Sequence, residues 1–349
     1  MQHLSNPMRG KGLSVPVGAP APSTDAAAPA ALLRQCPAHA DTPLVPAREI
    51  AKTLGAKSVW VKDERGRMGL GSFKALGAAY VIACDAVETG AKDLTTALTG
   101  RTYITASAGN HGMSVAAGAR VFGANAIVHI AETVPESFAA RLAEKGAEVV
   151  RAGVDYEESM ALAKASADAN GHILLSDSSW PGYMDRPYRL MEGYLQMAAE
   201  AFDQSPEPPT HIFLQAGVGG LAGAVAALAR ARFGGTPRIV VVEPEAAPAL
   251  FESIKAGTFV TTSGPVSAMG RLDCKEASLI ALTGLARDAD DFVTITEEEA
   301  AATMPLMAEA GLAGSESGIA GVAGAIAGAR AVGIGPESNV LFFMSEGVA

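Results

Sequence analysis

With 349 residues, 49% of them apolar and only 5% aromatic, the chain has material for one large domain or two intimately joined ones, cored mainly by Ala, Val, Leu and Ile. A formal charge of −10, with Lys and Arg scattered rather than striped, argues against a nucleic-acid partner, because nothing would offset phosphate repulsion. Cys36, Cys84 and Cys274 are widely spaced without a CxxC, and no histidines form an HxxxH pair, so neither a disulfide framework nor a metal site is expected. Reduced cysteines in a cytoplasmic protein are the expectation.

Residues 1–40 are rich in Ala, Pro, Ser and Gly and read as an irregular arm that wraps the body or a partner subunit. The apolar run at 26–33 is interrupted by Pro29 and is too short for a membrane span. From there the pattern alternates strand and helix, the signature of a parallel sheet. Strand 58–62 leads to helix 75–87, strand 101–105 to helix 112–122, strand 125–130 to helix 136–145, and strand 148–150 to helix 156–170. A strand at 173–175 breaks into a polar, aromatic loop, and a helix covers about 189–202. Strand 211–215, helix 221–233 and strand 238–243 follow. The helix near 296–310 opens on Thr296 before Glu297, Glu298 and Glu299, a capping-box pattern that makes those acids a solvated helix start. Residues 314–318 read as a flexible polar loop, and 339–344 as the last strand. The run from 78 to 175 reads as a small domain inserted into a larger one made of 41–77 and 176–349.

Three segments carry candidate chemistry. Lys74 ends Gly69-Leu70-Gly71-Ser72-Phe73-Lys74, where glycine-rich chain gives way to an apolar helix. A lysine in a first helical turn faces the positive end of the dipole, and partial burial acts the same way, so a neutral amine is expected. Such an amine can form an imine and later move a proton; a surface lysine beside a helix start is the rival reading. Asn110 lies in Ser107-Ala108-Gly109-Asn110-His111-Gly112, a small-residue loop whose successive N–H groups can nest an anion such as a substrate carboxylate. Asn110 can donate to a phenolate oxygen, whereas an ordinary capped turn would need the same residues; His111 reads as a structural loop histidine. Gly217-Val218-Gly219-Gly220 stands between a strand and a helix, suited to a phosphate on exposed amides. The same stretch fits G-x-G-x-x-A through Gly217, Gly219 and Ala222, with Glu243 at a strand end where a ribose-binding acid would lie. That alternative, a nicotinamide oxidoreductase, accounts for neither Lys74 nor Asn110. The three segments together suit pyridoxal phosphate. Ser345 can set a neutral hydroxyl against the pyridine nitrogen, leaving it unprotonated. For Arg271, a second substrate carboxylate is weighed against a surface ion pair.

Together these residues, with Lys62-Asp63-Glu64, Asp177-Ser178-Ser179-Trp180-Pro181-Gly182-Tyr183, Val242-Glu243-Pro244 and Ser345-Glu346-Gly347, resemble the fold type II pyridoxal-phosphate enzymes. Within that group the likeness is to the diaminopropionate ammonia-lyases, from about Thr42 onward. The resemblance implies two three-layer αβα domains with open, mostly parallel sheets, the cofactor between them, and a homodimer. It places the cofactor on Phe73, Lys74, Asn110, Gly217, Val218, Gly219, Gly220 and Ser345. A small amino-acid substrate falls on Ser107, Ala108, Gly109, His111 and Asp177, with Lys74 and Asp177 catalytic and Asp177 meeting the distal amino group. The expected reaction is α,β-elimination from L-2,3-diaminopropionate, with serine, threonine or a 3-hydroxyamino acid as the alternative substrate. The lyase that acts on both enantiomers carries an aspartate, a base for the D-substrate, where this chain has Ala108, so turnover of the L-isomer alone is expected.

Overall fold

The structure, a computed structural model, describes residues 1–13, 18–107 and 109–348. The amino-terminal stretch differs from the irregular arm expected. It contains a strand, β1 (Gln2–Ser5), and a helix, α1 (Ala27–Leu33). The strand forms because an open sheet edge accepts it: Gln2–Ser5 pairs antiparallel with Asp291–Thr294, and His3 Nε2 reaches Asp291 at 2.7 Å.

After this come β2 (Leu44–Pro46), α2 (Arg48–Leu54), β3 (Ser58–Asp63) and α3 (Lys74–Glu88). Four βα units follow: β4 (Thr102–Ala106) and α4 (Asn110–Val121), β5 (Asn125–Ile130) and α5 (Glu136–Glu144), β6 (Ala147–Arg151) and α6 (Tyr156–Asn170), β7 (Ile173–Leu174) and α7 (Asp185–Gln204). The chain continues through β8 (His211–Gln215), α8 (Gly220–Phe233), β9 (Arg238–Pro244), α9 (Ala249–Ala256) and α10 (Leu279–Asp288). It closes with β10 (Asp291–Ile295), α11 (Glu297–Glu309), α12 (Glu316–Gly328) and β11 (Asn339–Met344).

The strands form two open sheets. The larger runs β1-β10-β9-β8-β11-β3-β2, parallel except for its two edge strands, and the smaller runs β6-β5-β4-β7, parallel throughout. The central strands are apolar through their middles on both faces because helices cover both. Ile212 and Leu214 of β8, with Leu341 and Phe343 of β11, join one core, while Phe213, Val340, Phe342 and Met344 join the core on the opposite face. This alternation makes three layers, as the resemblance implies.

The predicted capping box at α11 forms: Glu299 N–H donates to Thr296 Oγ1 at 3.2 Å, and Thr296 N–H to Glu299 Oε2 at 2.9 Å. The predicted flexible loop at 314–318 is instead the start of α12, with Ser315 capping through Gly318 N–H at 3.0 Å. Its glycine and serine content suggested a loop, but burial of Ile319, Ala320, Val322 and Ala323 against the sheet overrides local propensity. No helix among the described residues is long and apolar enough to cross a membrane.

Candidate active site

Every chemical segment leaves the carboxyl end of a parallel strand, the edge at which open α/β sheets bind ligands. The loop to Lys74 leaves β3, the Asn110 loop leaves β4, Asp177 follows β7, the glycine loop leaves β8, and Ser345 follows β11. They surround one cavity of about 300 Å³, the lower end of small-molecule sites.

The approach to Lys74 is braced twice. Lys62, Glu64 and Arg67 have no exposed surface and Glu200 is almost fully buried. Arg67 donates to Glu64 and to Glu200 at 2.7 Å, Lys62 sits 2.7 Å from Glu200, and both cations reach Thr42. Two cations balance two carboxylates, so the segment leaving β3 is fixed by ion pairs that exclude water. Beyond it, Ser72 bridges antiparallel to Glu346, Phe73 N–H donates to Ser345 O at 3.1 Å, and Gly347 N–H to Gly71 O at 3.2 Å. Lys74 therefore begins α3 on a rigid support, with the Phe73 ring 4.8 Å from that of Tyr194.

The neutral lysine expected from the helix dipole is not what the site holds. Burial pushes the Lys74 amine down, but the Asp177 carboxylate, hydrogen-bonded to Nζ, raises it well above the ordinary lysine range. The same pair holds Asp177 far below the usual carboxylate range against its own burial. A counter-charge in contact outweighs a helix end, whose influence fades within a turn.

Asn110 begins α4 and donates its side-chain amide to Glu346, which also accepts from Ser315 Oγ. Burial raises Glu346 above the usual range despite those donors. Ser107 Oγ accepts from Gly109 and Gly112 N–H, each at 3.1 Å, so this hydroxyl shapes the loop from within. Ala108 lies outside the described residues. His111 is buried, and since the Leu175 carbonyl 2.8 Å from Nε2 can only accept, Nε2 carries the proton. Its Nδ1 is then a lone-pair acceptor without a partner among the described residues, and burial keeps the ring neutral.

The glycine loop offers a cradle. No acceptor among the described residues takes the N–H of Gly217, Gly219 or Gly220, which stand at the amino end of the fourteen-residue α8, while Val218 N–H faces the Cys274 sulfur. Gly219 has φ +95°, and a Cβ there would lie 3.0 Å from Ala281 Cβ; one on Gly217 would meet Cys274 Sγ at 2.9 Å. Beside the cradle, Gln215 Nε2 faces Phe343 O, Gly318 O and Ser345 Oγ at 2.8, 3.0 and 3.0 Å. An amide nitrogen cannot accept, so the Ser345 proton is turned away from it. These residues fit pyridoxal phosphate: a helix-end cradle without room for side chains, a lysine at the cavity, and a hydroxyl free to donate.

The alternative dinucleotide reading fails at Glu243. Its two oxygens accept from Leu250 N–H at 2.8 Å and Phe251 N–H at 2.7 Å, capping α9 in a fully buried position, and burial raises the carboxyl to about 8. No acid remains there for a ribose. His39, Asp41 and Glu200 lie close enough to suggest a metal, yet Glu200 is already taken by Arg67 and Lys62.

Sequence reasoning missed Gln215, Tyr156, Tyr194 and Cys274 as cavity or near-cavity residues and assigned no role to Glu346. Gln215 and Glu346 sit beside recognised motifs and were findable by adjacency. Tyr156 and Tyr194 fall within helices whose spacing gives no such signal.

Residues 36–346 match the family described as pyridoxal-phosphate dependent enzyme, and the chain belongs to that family, with fold type II architecture, pyridoxal 5'-phosphate as its cofactor and lyase chemistry. It is 31% identical to the diaminopropionate ammonia-lyase of Salmonella typhimurium over 296 residues, 79% of this chain and 73% of that one. The Escherichia coli diaminopropionate ammonia-lyase solved in complex with D-serine superposes with TM-score 0.89 at 26% identity, covering 99% of this chain and 93% of that one. The same enzyme in complex with an aminoacrylate-PLP azomethine reaction intermediate gives 0.87 at 27%, with the same coverage.

Proposed function

We propose that this chain is an ammonia-lyase that eliminates the β-amino group of L-2,3-diaminopropionate, yielding pyruvate and two ammonia after hydrolysis. The observation that carries the reading is the Lys74–Asp177 pair at the cavity. A carboxylate beside the reacting lysine suits a substrate whose distal group is a cationic amine. A hydroxyamino acid would give Asp177 no such charge partner, which makes serine and threonine the second choice.

The cofactor, held by Phe73, Lys74, Asn110, Ser345 and the Gly217–Gly220 amides, supplies an electron sink for the α-carbon. The protein's part is to place and move protons. Once a substrate occupies the site, Asp177 pairs with the substrate's distal ammonium instead of Lys74. Lys74, buried and freed from its counter-charge, reverts toward a neutral amine and takes the α-proton. Ser345 donates outward, favouring an uncharged ring nitrogen, a moderate sink sufficient for elimination. Ser107 keeps the α4 loop in shape for the carboxylate, and Gly109 and His111 line its approach. Ala108, in place of an aspartate, leaves no base for the opposite enantiomer.

The same proposal takes 78–175 as a small domain inserted into the body formed by 41–77 and 176–349, supported by a four-stranded sheet drawn wholly from residues 102–174. It also takes the chain as a cytoplasmic homodimer, on the family resemblance and on Cys36, Cys84 and Cys274 all being free.

The test is a side-by-side assay of 2-keto acid from L-2,3-diaminopropionate, its D-isomer, L-serine and L-threonine. Pyruvate from the L-diamine at a rate well above the other three is expected. Preference for L-threonine, or comparable use of the D-isomer, would overturn the assignment.

A further inference from the structure

We propose that Arg271 determines substrate recognition by closing on the α-carboxylate bound at the amino end of α4. The inference rests on the lyase reading only in taking an α-amino acid as the ligand.

Arg271 lies in the irregular connection between α9 and α10. Its backbone is fixed at the cofactor cradle. Its N–H donates to Ser317 Oγ at 3.1 Å, and its carbonyl lies 3.1 Å from the Cβ that Gly217 lacks. From there the side chain crosses the cavity to the other sheet's loop. A Cβ on Gly109 would stand 3.1 Å from both Arg271 Cδ and Nε, so the absence of a side chain at 109 is what lets the arginine lie there. The guanidinium also approaches the Phe138 ring at 5.9 Å.

This guanidinium is only loosely paired. Arg65, Arg67, Arg186 and Arg238 each hold a carboxylate within 2.8 Å. Arg271 makes no side-chain hydrogen bond among the described residues, and the carboxylate paired with it, Glu346, is 3.9 Å from Nε. Glu346 is itself engaged by Asn110 and Ser315. The ion pair weighed as the alternative is made only at that long distance, without a hydrogen bond to hold the guanidinium.

What the guanidinium overlooks is an anion site lacking its anion-facing partner. In the loop, Gly109 and Gly112 N–H are taken by Ser107 Oγ, whereas Asn110 and His111 N–H meet no acceptor among the described residues. These two amides, at the positive end of a twelve-residue helix, can bind one side of a carboxylate. A planar fork of N–H donors can take the other, a geometry that guanidinium satisfies and ammonium does not. Asp177, on another side of the cavity, is a negative charge and suits an amine.

The experiment uses the holoenzyme and two ligands without a β-leaving group, L-alanine and L-alaninol, the second having an alcohol where the first has its carboxylate. Binding is followed by the change in cofactor absorbance in wild type, Arg271→Gln and Arg271→Lys. Loss of charge-assisted hydrogen bonds to one carboxylate is expected to raise the L-alanine Kd roughly ten- to a hundredfold in Arg271→Gln. The L-alaninol Kd should stay within twofold, and Arg271→Lys should recover part of the loss. With L-2,3-diaminopropionate, KM should rise while kcat stays within about threefold, the signature of lost uniform binding. An unchanged L-alanine Kd, or equal weakening of both ligands, overturns the assignment. With L-aspartate as a third ligand, weakening confined to it would move Arg271 to a second substrate carboxylate and equally overturn the assignment. Failure of the lyase reading shows separately, as absent pyruvate from a wild type that still binds L-alanine.

Discussion

Glu200→Gln isolates the ion network beneath Lys74. Glu200 accepts from Arg67 at 2.7 and 2.9 Å, lies 2.7 Å from Lys62, and accepts from Gln196 at 3.0 Å. Burial alone would raise this carboxyl, but Arg67 and Lys62 bring it down to about 2 from an ordinary 4.5. That difference corresponds to roughly 3 kcal/mol at neutral pH. Glutamine keeps the volume and one acceptor but leaves two buried cations facing Glu64 alone, a penalty of similar size. With an unfolding entropy of about 0.7 kcal/mol/K for 349 residues, Tm should fall by about 4 °C in calorimetry at pH 7. Because the folded carboxyl is depressed, its contribution is fully present above pH 4.5 and is lost as pH falls toward 2. The gap between wild type and variant should therefore narrow across that window. A Tm unchanged within 1 °C at pH 7, or a gap that widens on acidification, would refute the electrostatic account of this brace.

Lys74→Ala should abolish keto-acid formation, and borohydride should then fix no cofactor to the protein, whereas in treated wild type mass spectrometry should find it on Lys74; full activity in the variant would remove the central assignment. Gly219→Ala imposes a side chain at φ +95°, costing about 1–2 kcal/mol, and sets its Cβ 3.0 Å from Ala281. Cofactor Kd by equilibrium dialysis should rise at least about tenfold, and an unchanged value would mean that the α8 cradle does not hold the phosphate.

The alternation of strands and helices was readable because both periods are strong and the turns carry glycine. β8, β11 and β5 fall where the apolar runs put them. The start of α12 was not readable, because Gly314-Ser315-Glu316-Ser317-Gly318 has loop composition and becomes helical only through the sheet it covers. The strand at Gln2–Ser5 depends on an edge created by residues near 291–294, which no local pattern announces. In the site, Lys74, Asn110 and the glycine loop stand out as motifs. Their charges do not, since the state of Lys74 is set by Asp177, a neighbour contributed by a different strand.

The bridge between Ser72 and Glu346 bears on how the protein matures. The support under Lys74 is completed by residues made long after the lysine itself, so a nascent chain can build β4 through α6 from local contacts while its reactive amine still lacks a fixed setting. Closing so long a loop is slow and comes late in folding. The pocket around Lys74 is thus expected to form after the chain between its two halves has folded, and a truncation that removes 345–347 should yield a folded small sheet beside a lysine that keeps only the ion network before it and its pairing with Asp177.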